Sequence, residues 1–327
     1  MNNIDNFKTY LSGFEQNCAN DYSLYNGKTG LAMLYYMLHA ASGDQVSLTK
    51  GKQLLDELSE NIQNIKEFNF QNGLSGIGWA IEWLVQNKFI DANTDEILED
   101  MDDELYRSVV YAKSGDASLA HGVIGKALYF YRRLCARNSS SSRYRYICIQ
   151  ECLVLLIDEI DELLFSDNAI LYNGDTLLND LQKMHQVGQA LLLVSSINRL
   201  KINAEVCKKI ICCSRGVLDL YFNSNNSHHN DNELDWYLTY CYYKSGIYLG
   251  DSEFLSKTMY GGCTFNEKFM RSLGYFSVNN EANSQIHVTL MAEHPLDNSE
   301  TGVFNLFKEI CHFPQIAKYN WEEGWGL

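Results

Sequence analysis

Proline is almost absent from this 327-residue sequence: it occurs only at Pro295 and Pro314, near the C-terminal end. Because proline is the residue that breaks helices most strongly, nearly the whole chain is free to form long helices. With 46% hydrophobic and 20% charged residues, the chain also has the composition of a folded globular protein rather than a disordered one. The sequence therefore predicts a mostly helical fold.

Basic residues are also scarce, with 26 lysines and arginines against 41 aspartates and glutamates and a formal net charge of −15. This charge repels nucleic-acid phosphates and anionic lipid surfaces, so we expect neither as a partner. The N-terminal stretch lacks the basic and apolar regions of a signal peptide, and no apolar run is long enough to span a membrane. We therefore expect a cytoplasmic protein without membrane insertion.

Several common motifs are missing from the chain. The ten cysteines include no Cys-x-x-Cys pair and no regular spacing, so we expect most of them to be buried, reduced thiols. There is no Gly-x-Ser-x-Gly sequence, phosphate-binding loop or dinucleotide fingerprint. Serine hydrolase and nucleotide-binding functions are therefore not supported.

What the chain does contain is a repeated glycine turn that is followed each time by an apolar, aromatic stretch. Three copies have the form Gly-x-x-Gly, and three weaker copies keep only the second glycine. The second glycines are 46, 49, 63, 58 and 56 residues apart, which is room for one helical hairpin per interval. The glycines are Gly27 and Gly30, Gly73 and Gly76, Gly122 and Gly125, then Gly188, Gly246 and Gly302.

The stretches after the glycines are apolar on nearly all sides, which is typical of helices that are packed on both sides. The intervening segments, such as 47–65 and 93–110, are amphipathic and predict outer helices. Alternating inner and outer helices favour an all-α fold, an α/α toroid of about six hairpins in one domain over residues 1–327. The glycine turns would open the inner helices at one end, and segments 136–145 and 223–233 would be exposed loops.

The Gly-x-x-Gly turns resemble those of the lanthionine synthetase C-like (LanC-like) family. The similarity is carried by YNGKTGLAMLYY at 25–36 and by FQNGLSGIGWAIEWLVQNKFIDANTDEILEDMD at 70–102, and the ending NWEEGWGL resembles the tail of bacterial members. The resemblance implies an α/α toroid that modifies ribosomal peptides of the lantibiotic type in a bacterium. In the cyclases of the family, zinc activates a cysteine thiol of the precursor peptide, which adds to a dehydroamino acid and closes a thioether ring. The implied partners are the precursor peptide and a peptide-modifying enzyme or exporter.

The resemblance also implies site residues. The family's zinc cysteine in a Trp-Cys-x-Gly turn matches Cys241, although a buried core thiol is an equally open interpretation. The second zinc turn, Cys-His-Gly, is missing, and His287 is the candidate metal ligand near its expected place. For the catalytic histidine, His121 has the right local sequence in the third repeat, whereas His185 adjoins the right position in the fourth.

Because one thiolate holds zinc less well than a pair, we expect weak zinc affinity or none. This favours a member that binds a precursor peptide without closing rings. The alternative is a glycoside hydrolase on an α/α toroid, which would need two carboxylates about 5–10 Å apart, and Glu82 and Asp175 are candidates.

Overall fold

In the computed structural model, the described residues are 3–18, 20–138, 142–166, 180–224 and 233–252, together with 303, 306, 307, 310 and 319. Within these residues the chain is helical and contains no β-strand, in agreement with the predicted helical fold. No helix among them is long and apolar enough to cross a membrane. The helices are α1 (Asn3–Asn17), α2 (Lys28–Ser42), α3 (Gln45–Asn61), α4 (Leu74–Gln86), α5 (Thr94–Ile97), α6 (Glu99–Tyr111), α7 (Val123–Leu134), α8 (Arg143–Phe165), α9 (Leu181–Asn198), α10 (Ala204–Ser224) and α11 (Glu233–Leu249).

The predicted outer segments and loops agree with the helix bounds in part. Segment 47–65 lies in α3 and the 3₁₀ turn Ile62–Asn64, and segment 93–110 lies in α5 and α6. The predicted loop 136–145 is shorter than expected, because the Ser142 side chain accepts from the Arg145 N–H and α8 begins at Arg143. The predicted loop 223–233 overlaps the end of α10 and the start of α11, and its middle lies outside the described residues.

The chain divides into two compact units, each built from segments that are discontinuous in sequence. One comprises Met1–Glu67, Gln71–Ile90 and Glu267–Trp325, and the other comprises Phe68–Phe70, Asp91–Asn266 and Gly326–Leu327. The expectation of one domain over residues 1–327 stays a prediction.

In the first unit, α2 packs against α3 and α4, and the described C-terminal residues Val303 and Tyr319 contact residues of this unit. The Val303 N–H donates to the Tyr25 carbonyl at 3.0 Å. The Tyr319 ring lies 4.9 Å from the Phe89 ring, which itself stacks on Trp83 at 5.4 Å. Val303 and Tyr319 therefore pack on residues from the first part of the chain.

In the second unit, α7 packs on α8, and α9 packs on α10 and α11. A buried ion pair ties α7 to the segment before it: the Arg133 side chain is fully buried and lies 2.7 Å from Asp102 and 3.1 Å from Asp95. The Tyr129 hydroxyl donates to the same Asp102 carboxylate. Buried charges are tolerated only when they are paired in this way.

The cysteines are less uniformly buried than the sequence predicted. All eight described cysteines are free thiols, and four of them, including Cys241, are buried. Cys135 and Cys212 are exposed, so the prediction of burial is wrong for these two.

Candidate functional site

The three complete glycine turns share one backbone conformation at the start of an inner helix. Gly27 is the N-cap residue of α2, with φ −122° and ψ −167°. Gly73 at the start of α4 has φ −120° and ψ −168°, and Gly122 at the start of α7 has φ −107° and ψ −160°. These helices begin two residues before Gly30, Gly76 and Gly125, which confirms the first three predicted starts. The backbone angles lie in the extended region that any residue adopts, so the need for glycine has another cause.

That cause is space. A Cβ on Gly30 would lie 2.2 Å from the Leu24 carbonyl oxygen, and a Cβ on Gly125 would lie 2.1 Å from the Leu119 carbonyl oxygen. A side chain cannot fit where the preceding turn approaches the helix this closely, so only glycine permits the turn.

An aspartate and a serine complete the turn, and the sequence analysis did not identify them. The Asp21 carboxylate accepts from the Ser23 N–H at 2.8 Å, and Asp116 accepts from Ser118 at 2.7 Å. The carbonyl of each aspartate also accepts from the first N–H of the following helix, at 2.8 and 2.9 Å. Both aspartates lie nine residues before the second glycine, as does Glu67 in the remaining copy. This repeated offset is the signal that could have identified them.

Hydrogen bonds join each turn to the next repeat. Two of these links are between backbones: the Leu24 N–H donates to the Gln71 carbonyl at 3.2 Å, and the Phe70 N–H donates to the Ala120 carbonyl at 3.1 Å. In the third link the acceptor is a side chain instead of a backbone carbonyl: the Leu119 N–H donates to Oε1 of Gln189 at 3.1 Å. The change in pattern falls where the fourth copy lacks its first glycine.

The predictions for Gly188 and Gly246 are wrong, because both glycines lie inside helices rather than at helix starts. The fourth inner helix, α9, begins seven residues before Gly188, where the Asp180 side chain accepts from the Lys183 N–H at 3.1 Å. Gly246 lies within the last turns of α11. Gly302 lies outside the described residues.

Gly188 instead permits close packing of α9 on α11. A Cβ at this position would meet Leu238 Cδ2 at 3.0 Å and Cys241 Sγ at 3.3 Å. One turn earlier on α9, the half-buried His185 ring stacks on Tyr237, with the ring centroids 4.5 Å apart. The structure thus brings two predicted site residues, His185 and Cys241, to the same helix interface, and it adds Tyr237 between them.

The environment of Cys241 keeps its thiol protonated. The residue is fully buried, and desolvation raises the pKa of the thiol to about 12. The side chain of Tyr237, one turn earlier on α11, opposes this shift with a smaller effect. In the absence of a bound metal, Cys241 is therefore a neutral thiol at neutral pH, whereas a nucleophilic cysteine must be a thiolate.

The described residues do not fit the zinc site that the resemblance implies. They contain no group of three or more histidines, cysteines, aspartates or glutamates that could hold a metal ion. Zinc needs at least three protein ligands, and among the described residues His185 is the predicted site residue that lies at the same helix interface as Cys241. The predicted ligand His287 lies outside the described residues.

The other candidate histidine, His121, is part of the third glycine turn. It lies four residues before Gly125, the position that Asn26 has relative to Gly30. Its N–H donates to the Ser118 hydroxyl at 3.2 Å, as the Asn26 N–H does to Ser23, and its side chain is exposed. The backbone of His121 therefore supports the turn, while its ring is accessible to solvent.

The carboxylate candidates for sugar chemistry are only partly described. Glu82 is 1% exposed within α4, which is not the position of an accessible acid or base. Asp175 lies outside the described residues.

Comparisons with known proteins agree with the helical repeats. The family model of the lanthionine synthetase C-like protein matches residues 2–162, a segment that includes the three complete glycine turns and ends within α8. No curated protein sequence matches the chain. The solved structure of nisin cyclase is similar over 98% of this chain and 96% of its own, with a TM-score of 0.61 and 12% sequence identity. This similarity shows the fold, and the predicted α/α toroid class is confirmed.

Proposed function

The chain belongs to the lanthionine synthetase C-like family, and on that premise we propose that it binds a precursor peptide of lantibiotic type without closing thioether rings. Its relationship to a peptide cyclase follows from the family and from the fold that it shares with nisin cyclase. The loss of ring closure and the binding of a precursor are our proposal.

The observation that carries the proposal is the state of Cys241. Zinc-dependent ring closure needs a metal that holds the substrate thiol as a thiolate. Cys241 is the residue that matches the family's zinc cysteine, yet it is fully buried against Gly188, and the described residues include no group of three or more potential ligands. Taking it as a ligand would require α9 and α11 to separate, because these helices are in contact around it.

The retained glycine turns support a binding role. Three turns keep the same backbone geometry, and the first and third show the same close approach of backbone to helix, whereas Gly188 and Gly246 lie inside helices. A fold that keeps these turns while losing the donors of a metal site fits a protein that still recognises the family's substrate. The precursor peptide is therefore the proposed partner, with a peptide-modifying enzyme or exporter of the same pathway as a further partner.

If the protein retains cyclase activity, a histidine would transfer the proton and a cysteine with a second histidine would hold zinc. His185 is the better placed proton donor or acceptor, because it lies at the α9–α11 interface beside Tyr237, whereas His121 belongs to a different turn. Cys241 and His287 remain the candidate pair for a weak zinc site.

Metal analysis of freshly purified protein tests the absence of zinc. We expect well below one equivalent of zinc, and no change in zinc content for Cys241→Ala. About one equivalent that disappears in Cys241→Ala would overturn the proposal, because a true ligand cysteine binds metal and contributes to its affinity.

Ring closure and binding are tested with a dehydrated precursor peptide. Addition of a thiol to a dehydroamino acid leaves the mass unchanged, so free thiols are counted by alkylation and mass spectrometry. We expect calorimetry to show binding and the number of free thiols to stay constant. Loss of thiols would overturn the non-cyclising role. Absence of binding together with cleavage of an oligosaccharide would favour the glycoside hydrolase alternative.

A further inference from the structure

Helices α6 and α8 expose aromatic and aliphatic side chains where outer helices are usually polar. On α8, Tyr144 is 78% exposed and Leu155 is 39% exposed, and on α6 Val110 is 37% exposed. Scattered apolar residues on a surface need no explanation, but a continuous set is typical of an interaction site. The question is whether these residues are neighbours.

The two helices run parallel, which fixes how their side chains align. Arg145 lies 2.6 Å from Glu99 at the start of both helices, and Lys113 pairs with Glu162 beyond the end of α6 and near the end of α8. Between these ion pairs, the Tyr106 hydroxyl donates to Glu151 at 3.1 Å. The Tyr106 side chain therefore lies across the boundary between the helices.

The exposed residues follow this boundary. Tyr144, Cys148, Glu151 and Leu155 are spaced one turn apart along one face of α8, and Glu151 acts electrostatically on both Tyr144 and Tyr106. Val110 follows Tyr106 by one turn on α6, and Leu155 follows Glu151 by one turn on α8. We call the four residues Tyr106, Val110, Tyr144 and Leu155 the α6–α8 seam. Along α8 the seam extends about 16 Å, the length of three helical turns.

Carboxylates dominate the surroundings of the seam. Helix α6 carries five carboxylates and one arginine, and α8 carries five carboxylates and two arginines. The two helices together therefore hold a net charge of −7, and all of their carboxylates except the buried Asp102 and Glu159 lie at least partly at the surface. Asp103 and Glu151 both act electrostatically on Tyr144, so acidic groups border the apolar residues directly.

We propose that the α6–α8 seam binds a cationic amphipathic helix of a partner protein. The apolar face of the incoming helix would pack on Tyr106, Val110, Tyr144 and Leu155, with residues spaced at i, i+4 and i+7. Its lysines or arginines would lie next to Asp103 and Glu151, which favours this partner over an acidic one. The seam includes none of His185, Gly188, Tyr237 or Cys241, so the proposal does not depend on precursor binding.

A labelled model helix serves as the probe. It has about 18 residues, with leucines along one face and lysines elsewhere, and its binding is followed by fluorescence anisotropy. We expect Tyr144→Ser combined with Leu155→Ser to raise the Kd about tenfold, because the apolar contact is lost. Asp103→Asn combined with Glu151→Gln should raise it by a similar factor at low salt, and the difference should shrink at high salt.

Three controls make the result specific. Leu220→Ser removes an apolar side chain that is 61% exposed on α10, and its Kd should equal that of the wild type. A peptide of the same composition with permuted leucines should bind at least about tenfold more weakly, because it lacks an apolar face. Equal losses in Leu220→Ser and the seam variants, equal binding of the permuted peptide, or unchanged binding of the seam variants would each overturn the proposal. Circular dichroism verifies that every variant is folded.

Discussion

The His185 ring on α9 stacks on the Tyr237 ring on α11, with centroids 4.5 Å apart and the planes tilted by 27°. Cys241 lies one turn further along α11, where Tyr237 lowers the pKa of its thiol. The three side chains form a continuous row across the helix interface, with the histidine half-buried at one end and the thiol fully buried at the other. This order places the thiol farthest from solvent, where burial favours its neutral form.

The burial of Cys241 predicts a loss of stability in alkali. Its pKa is about 12 in the folded protein and 9.0 for an ordinary exposed thiol, so the unfolded chain loses this proton first as the pH rises. The stabilisation by the neutral thiol is complete below pH 9.0 and decreases between that value and about 12. Chemical denaturation at pH 8 and at pH 10 measures the effect.

Cys241→Val provides the comparison for this prediction, because valine keeps an apolar side chain but cannot ionise. We expect the free energy of unfolding to fall less for Cys241→Val than for the wild type between the two pH values. Other buried cysteines, such as Cys152 and Cys207, titrate equally in both proteins and cancel in the difference. An identical fall in both proteins would show that Cys241 is not the group responsible.

The third glycine turn should not tolerate even one methyl group. In Gly125→Ala the added Cβ would lie 2.1 Å from the Leu119 carbonyl oxygen and 2.5 Å from Phe70 Cβ. Because the first neighbour is backbone, the turn itself must move, and we expect a loss of about 3 kcal/mol or more in the free energy of unfolding. Thermal or urea denaturation gives this value.

Gly216→Ala is the matched control for the glycine prediction. Gly216 lies inside α10 and has no atom within 4 Å of its ideal Cβ position. Alanine forms helices better than glycine, so this variant should be more stable by about 0.5–1 kcal/mol. If both alanine variants changed stability by the same amount, the close approach at Gly125 would not explain the glycine.

The glycines of the repeats also show how much of the fold could be predicted from the sequence. The pairs that end at Gly30, Gly76 and Gly125 each have two residues between their glycines and each precede an apolar stretch, so they predicted three helix starts. A single glycine carries less information, because it serves equally well where two helices pack closely. Gly188 has that second role, and only its contact with α11 distinguishes the two cases.

The candidate site was predictable in part for a similar reason. Cys241 and His185 could be selected because the resemblance to the LanC-like family, combined with the repeat positions, points to them. Tyr237 could not be selected, because its role depends on which face of α11 meets α9. With 21 tyrosines in the sequence, residue type gives no indication of that contact.

The packing of the C-terminal segment on α2 gives a further prediction. Val303 is fully buried, and its side chain approaches the Cβ position of Gly30 to 2.8 Å. Val303→Ala leaves a gap at this contact and should lower the free energy of unfolding by about 1–3 kcal/mol. Val46→Ala, at a position that is 65% exposed, should change it by less than about 0.5 kcal/mol. Equal effects would contradict a core role for the C-terminal segment.

The Arg133 ion pair gives the strongest expected effect, since its guanidinium is fully buried between two carboxylates. Arg133→Ala would leave the Asp102 carboxylate buried and without its closest cation, at a cost of about 3–5 kcal/mol. The exposed pair of Arg107 with Glu104 offers a control at a similar distance, 2.6 Å. Arg107→Ala should cost less than about 1 kcal/mol, because water solvates both groups when the pair is absent. Urea denaturation of both variants measures the difference, and similar losses would show that burial does not set the strength of the Arg133 pair.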